Sequence, residues 1–334
     1  MSQPDDELSR VLHDAVADVR PRGSYDDIRS RTDKVVPMKS RWILPTLAVA
    51  AVMAVVVAGA FWLTSDDTTP SPSGTPTQGT SSPQPTDGAT GGATSRRAVP
   101  VYFVGDSSHG PKLYREFQAK DTCDTDACLL KAATVTALSG TPQDADYTAP
   151  WPDGTGLRNV AYDGDALTID LVGDLHDRPA GMSQADAELA VQQLIYSAQA
   201  GLGKGRVPVQ LLLDGKHSDT VLGVPASEPL AAGNPDDVEA LVQVDAPAEG
   251  STVSSPFTVT GRAATFEANV VWELKQGDTV AKKGFTTAQE CCTLSPYSFQ
   301  VTAPPGTYTL VVHDTDESGQ NLPVDQDTKQ ITVQ

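Results

Sequence analysis

Four cysteines carry the clearest chemical potential in the sequence: Cys123 and Cys128, and Cys291 beside Cys292. Paired thiols can hold a metal, run redox chemistry or close a disulfide, and the compartment decides among these. No His lies near either pair and no C-x-x-C occurs, so CDTDAC and CC lack the partners of a metal site. On an oxidising exterior their even number predicts two intrachain disulfides. Four cysteines allow three pairings. Cys123 with Cys128 is the favoured local one, because a loop of that length lets two Cβ atoms approach. Cys291 and Cys292 then bridge as neighbours, unless crossed pairs join distant segments.

Other patterns resemble sites without completing them. In Asp314-Thr-Asp-Glu-Ser-Gly319, residues Asp314, Asp316 and Ser318 stand at calcium-loop spacing, and Asp325 falls at the twelfth position. Strands rather than helices flank the stretch, and a hairpin needs Asp, Ser and Gly there anyway. Gly201-Leu-Gly-Lys-Gly-Arg206 lacks the spacing of a phosphate loop and reads as a flexible connection. Gly105-Asp-Ser-Ser-His-Gly110 puts Ser beside His, but in a turn after a strand rather than at a nucleophile elbow. Trp151, Trp272 and Tyr297 are expected to pack cores. No catalytic, cofactor-binding or metal-holding residue is assigned. The chain is read as no enzyme, needing no cofactor.

The elements around these residues explain the lack. Of 334 residues, 24 are Lys or Arg and 43 are Asp or Glu, a formal charge of −19. Such a chain repels phosphate backbones, so nucleic acid is excluded as a partner. Residues 1–41 hold eight basic and eight acidic residues, so the whole imbalance follows residue 63. Between them lies Trp42 to Leu63, 22 residues without a charge. As a helix this run reaches roughly 33 Å, enough to cross a hydrocarbon core of about 30 Å. Lys34, Lys39 and Arg41 precede it and Asp66 and Asp67 follow, which orients the N-terminus to the cytoplasm and the remainder outside. A cleaved signal peptide would have a shorter apolar run, although Ala58-Gly59-Ala60 resembles a cleavage site.

Leu8, Val11, Leu12, Ala15 and Val16 predict a short amphipathic helix in the tail. The tail loosely resembles those of membrane-bound anti-sigma factors, without the His/Cys signature of the zinc-binding kind. Residues 64–98 contain nine Thr, six Ser, five Pro and five Gly, the composition of a disordered tether.

Periodic apolar runs begin at Val99. Strands at Val99–Val104 and Lys112–Phe117, a helix at Cys128–Leu138, and a hairpin about Asp163-Gly164 come first. A Ser183-capped helix running to Ile195 and a strand at Val207–Leu213 follow. The order β-β-α-β-β-α-β predicts an α+β sandwich over 99–230, with its helices on one sheet face. From 240 to 334, seven short alternating strands predict an all-β immunoglobulin-like sandwich.

VPVYFV, LSGTP, WPDGTGLRNVAYDGDALTIDL, LAVQQLIYSA and VPVQLLLDG resemble the GerMN domain of sporulation and spore germination. VDAPAEGSTVSSPFTVTGRAATFEANVVWEL and GTYTLVVHDTDESG resemble the immunoglobulin-like domain (Gmad family) that follows it in membrane-anchored envelope proteins of actinobacteria and firmicutes. The resemblance implies an extracytoplasmic protein of the cell envelope and admits self-association. With the span and its flanking charges, the expectation is a single-pass protein of the cell membrane whose extracellular modules bind envelope proteins or cell-wall polymer. The other expectation is a transmembrane signal transducer, anti-sigma-like, coupling exterior binding to the tail.

Overall fold

In the computed structural model, residues 95–316, 320 and 323–334 are described. The predicted tail, the membrane span 42–63 and the tether up to residue 94 lie outside them. Among the described residues, no helix is long and apolar enough to cross a membrane.

Alternation of Val99, Val101 and Phe103 turns one face of β1 (Ser95–Ser107) into the core, where all three are fully buried. The strand starts at Ser95, upstream of the expected boundary, because Ser95 to Ala98 continue the ladder with β2 (Gly110–Thr122). β3 (Tyr147–Thr148) pairs along the other edge of β1. Pro150 and Pro152 follow; lacking the N–H of a ladder donor, they end β3 after two residues, and the sheet has the order β2-β1-β3.

A second sheet, ordered β4-β5-β6-β7, contains β4 (Gly156–Tyr162), β5 (Leu167–Val172), β6 (Val209–Leu213) and β7 (Lys216–His217). The predicted hairpin is β4–β5, and the Asp163 carboxylate closes its turn by accepting from the backbone N–H of Asp165 and Ala166. The expected single sheet is therefore two.

The helices join them. α1 (Asp126–Ser139) is capped by Thr125, and α2 (Gln184–Leu202) by a Ser183–Asp186 capping box. The two helices pack on each other and on β1, and one core holds Phe103, Leu194 and Ile195 with Ile169 and Leu211 of the second sheet. Gly201 permits the close crossing: a Cβ there would lie 2.6 Å from Ala133 Cβ. A ribbon of β8 (Thr220–Val221) and β9 (Val224–Pro225), then the one-turn α3 (Pro235–Val238), lead out of this module.

The following strands are β10 (Val242–Ala246), β11 (Thr252–Val253), β12 (Phe257–Ala263) and β13 (Asn269–Gln276). They continue as β14 (Thr279–Thr287), β15 (Ser295–Val301), β16 (Gly306–His313) and β17 (Gln326–Val333). Sheets β10-β12-β15 and β11-β17-β16-β13-β14 enclose Val244, Val259, Leu274, Tyr297, Leu310 and Ile331. Each of the seven expected strands is present. The short β11, added parallel to β17, was not expected. Trp151 and Tyr297 are buried as anticipated, whereas Trp272 is half-buried and stacks on Phe299.

Candidate functional site

The densest polar chemistry lies where the two modules meet, and it starts from the outer edge of β2. Leu113 O accepts from Ala240 N at 3.0 Å, and Arg115 N donates to Gln243 Oε1 at 3.1 Å. The edge strand is thereby covered by the connector and β10, which removes a template for pairing with foreign strands. Arg115 forks onto Asp245, Nε to Oδ1 at 3.0 Å and Nη2 to Oδ2 at 2.6 Å. Arg262 Nη2 donates to Glu239 Oε2 at 2.6 Å and to Gln243 Oε1 at 2.9 Å. Gln243, with no exposed surface, links both arginines.

Further along the seam, Lys329 Nζ donates to Asp144 Oδ2 at 2.6 Å, Asp327 Oδ1 at 2.8 Å and Tyr147 Oη at 2.6 Å. Tyr147 Oη donates to Asp327 Oδ1 at 2.7 Å, and Val244 N to Asp327 Oδ2 at 2.6 Å. Lys329 and both carboxylates are at least 95% buried. Burial opposes the Lys329 charge, but Asp327 and Asp144 outweigh it and hold its pKa above the usual lysine value. Burial pushes the Asp327 carboxyl up, against the pull of Lys329. Tyr147 is raised well above its ordinary value, by burial first and then by Asp327. Glu116 fixes the loop carrying Asp144 by accepting from the N–H groups of Gln143 and Asp144.

A third contact uses the turn at Ser108-His109. The Asp325 carboxylate accepts from Ser108 N at 3.2 Å and Ser108 Oγ at 2.8 Å, and lies 3.1 Å from His109 Nδ1. The Ser-His pair thus holds a partner module in place. Asp325 is buried against it, and Asp314 N donates to Asp325 O at 3.0 Å, the backbone pairing of a hairpin. Of the other calcium candidates, Ser318 lies outside the described residues and Asp316 is engaged in an interaction of its own. Among the described residues, no group of three His, Cys, Asp or Glu is arranged to hold a metal.

Asp314 is the strained member. Its Oδ1 is buried without a hydrogen-bond partner among the described residues. Burial, then the nearby Asp325 charge, raises its pKa to about 6, against the smaller pull of His313 and His109. A carboxyl raised in the folded state binds its proton more tightly there than in the unfolded chain, so stability falls as pH rises from about 4 through about 6. Asp314→Asn should leave the melting temperature unchanged near pH 4 and raise it at pH 7. Equal shifts at both pH values would show that this carboxyl does not titrate with folding.

The cysteines pair locally: Cys123, ahead of α1, with Cys128 in its first turn, and Cys291 with its neighbour Cys292. Alkylation of unreduced, unfolded protein should label no thiol. Removing the first bridge as Cys123→Ser/Cys128→Ser should cost about 2 kcal/mol by loop-closure entropy, measured by denaturant unfolding. Of the Gly201–Arg206 stretch, expected as a connection throughout, Gly201 and Leu202 are the last residues of α2, and only Gly203 to Arg206 lie in the connection to β6. Lys204 pairs with Asp126 at 2.9 Å, and Arg206 donates to Gly233 O and Tyr196 Oη.

The sequence reading missed Arg115, Asp144, Glu239, Gln243, Asp245, Arg262, Asp327 and Lys329. One signal was available on β17, where Asp327 and Lys329 share the period-2 face of core residues Ile331 and Val333. Charges in phase with a core face mark a polar interface within the fold.

Residues 100–219 match the sporulation and spore germination family. Residues 241–321 match the immunoglobulin-like domain of bacterial spore germination. Among solved structures, a putative lipoprotein from Clostridium perfringens is similar at 19% identity, covering 41% of this chain and 87% of that one, with a TM-score of 0.28. The first GerMN domain of the sporulation protein GerM from Bacillus subtilis is similar at 16% identity over 40% of this chain and 97% of that one, TM-score 0.28. The tandem GerMN domains of the same protein are similar at 14% identity, covering 63% and 61% of the two chains, TM-score 0.29. No curated protein matches. The chain thus carries a domain of the sporulation and spore germination family, followed by an immunoglobulin-like domain of bacterial spore germination.

Proposed function

We propose that this chain is a non-catalytic envelope protein, anchored by residues 42–63 with residues 95–334 outside the cell, that binds or scaffolds through its two modules acting as one body. The observation that carries this reading is the buried seam. Lys329, Asp144, Asp327 and Tyr147 hydrogen-bond one another, and Arg115 and Arg262 donate to Asp245, Glu239 and Gln243, while Arg262 Nε is buried without a partner among the described residues. Groups committed in this way fix the relative placement of two surfaces, which suits simultaneous contact with a partner. The anchor, the orientation and the partner class of envelope protein or wall polymer come from the hydropathy, the charge asymmetry and the family resemblance. Self-association belongs to the same reading.

Replacing residues 1–40 by an unrelated anchor leader, with the span kept, tests it. A scaffold should still co-sediment with isolated envelope and support the wild-type phenotype. Loss of the phenotype with localisation intact would favour a transducer that signals through its tail.

A further inference from the structure

Two cavities flank the first turns of α2. One, of about 450 Å3, has an apolar floor of Val224, Leu230 and Val238. The other, of about 410 Å3, is walled by Trp151, Pro179 and Met182. Leu189 and Asp186 line both, so the two basins meet across one helix. Ala185, Glu188, Leu189 and Gln192 lie three and four residues apart, on one α2 face, and all line the first basin.

The charged side chains that line the groove are acidic: Asp186, Glu188 and Asp237 line it, and among the described residues no Lys, Arg or His lines either basin. At its rim, Lys112, Arg178 and Arg206 donate to the carbonyls of Asp237, Met182 and Gly233. All three acidic residues are exposed. Asp186 is held ionised below its ordinary value by the Ser183 hydroxyl and the Ser183 N–H. A second copy of a chain at −19 meets like charge here, so a partner of opposite sign is the complementary one.

Building on the binding role above, we infer that this groove docks an extended, cationic protein segment carrying two apolar anchor side chains, one for each basin. The anchors supply affinity by leaving water in the two pockets, and the carboxylate rim selects Lys or Arg between or beside them. The groove lies on the first module and its connector, whose Asp237 and Val238 directly precede Glu239 of the seam.

The test uses the full chain and fluorescein-labelled synthetic peptides of Lys and Ser carrying two Leu residues at spacings from two to six positions. At least one spacing should bind at least about tenfold more tightly than the same peptide with both Leu replaced by Ser, because the apolar anchors leave water on docking. Leu189→Ser should reduce that advantage, and Glu188→Gln/Asp237→Asn, both on exposed positions, should weaken binding while leaving the melting temperature unchanged. Equal binding of Leu-containing and Leu-free peptides, or wild-type binding by the charge variant, would overturn the inference. The same variants are assayed for co-sedimentation with envelope fragments: retained co-sedimentation would confine the failure to the groove and leave the general binding role standing.

Discussion

Lys329→Met is expected to cost about 3–5 kcal/mol of unfolding free energy, because it leaves two carboxylates buried without a counter-charge. Asp144 and Asp327 approach Lys329 Nζ to 2.6 and 2.8 Å, and each is buried. Methionine fills the volume of the stem but restores no charge. Adding Asp144→Asn to Lys329→Met should recover part of the loss, since one of the two stranded charges is then gone. Asp327 would keep Tyr147 Oη and Val244 N as donors. Denaturant unfolding of the full chain gives both numbers. A cost within about 1 kcal/mol, the range of an exposed pair, would mean that Lys329 reaches solvent.

Gly261→Ala should be damaging by another route. Gly261 lies on β12 between Val244 of β10 and Tyr297 of β15. A Cβ at this position would fall 2.0 Å from Gln243 O and 2.3 Å from Tyr297 Oη. Tyr297 Oη donates to that same carbonyl, so no flexible side-chain tip is available to yield. Backbone must move, at about 1–3 kcal/mol or more. The displaced residue is Gln243, whose amide joins Arg115 N to Arg262. Faster hydrogen exchange at Arg115 N should accompany the lower denaturant midpoint. An unchanged midpoint would contradict the packing around Gly261.

The strands and helices were legible because their side chains alternate with regular period. Val99, Val101 and Phe103 announce β1, and Ser183 announces α2. What the pattern could not give was the partition into sheets. That depends on Pro150 and Pro152 ending one ladder and on the parallel pairing of β5 with β6, a contact made across α2. The candidate chemistry was read locally and turned out to be long-range. Asp325, considered as a calcium ligand with Asp314, accepts instead from Ser108, 217 residues away. The Ser-His pair and the aspartate were both noticed, yet nothing in sequence spacing could bring them together. Only on β17, where Asp327 and Lys329 fall in phase with Ile331, did a local rule point toward the seam.

The claim on which the account rests is that the modules are joined into one body by this seam, and scanning calorimetry of the full chain tests it most directly. The account predicts one cooperative transition for residues 95–334, with calorimetric and van't Hoff enthalpies in agreement. It further predicts that Lys329→Met splits that transition in two. Two separate transitions in the unaltered protein would show modules that unfold independently, and the seam would then be a contact rather than a joint.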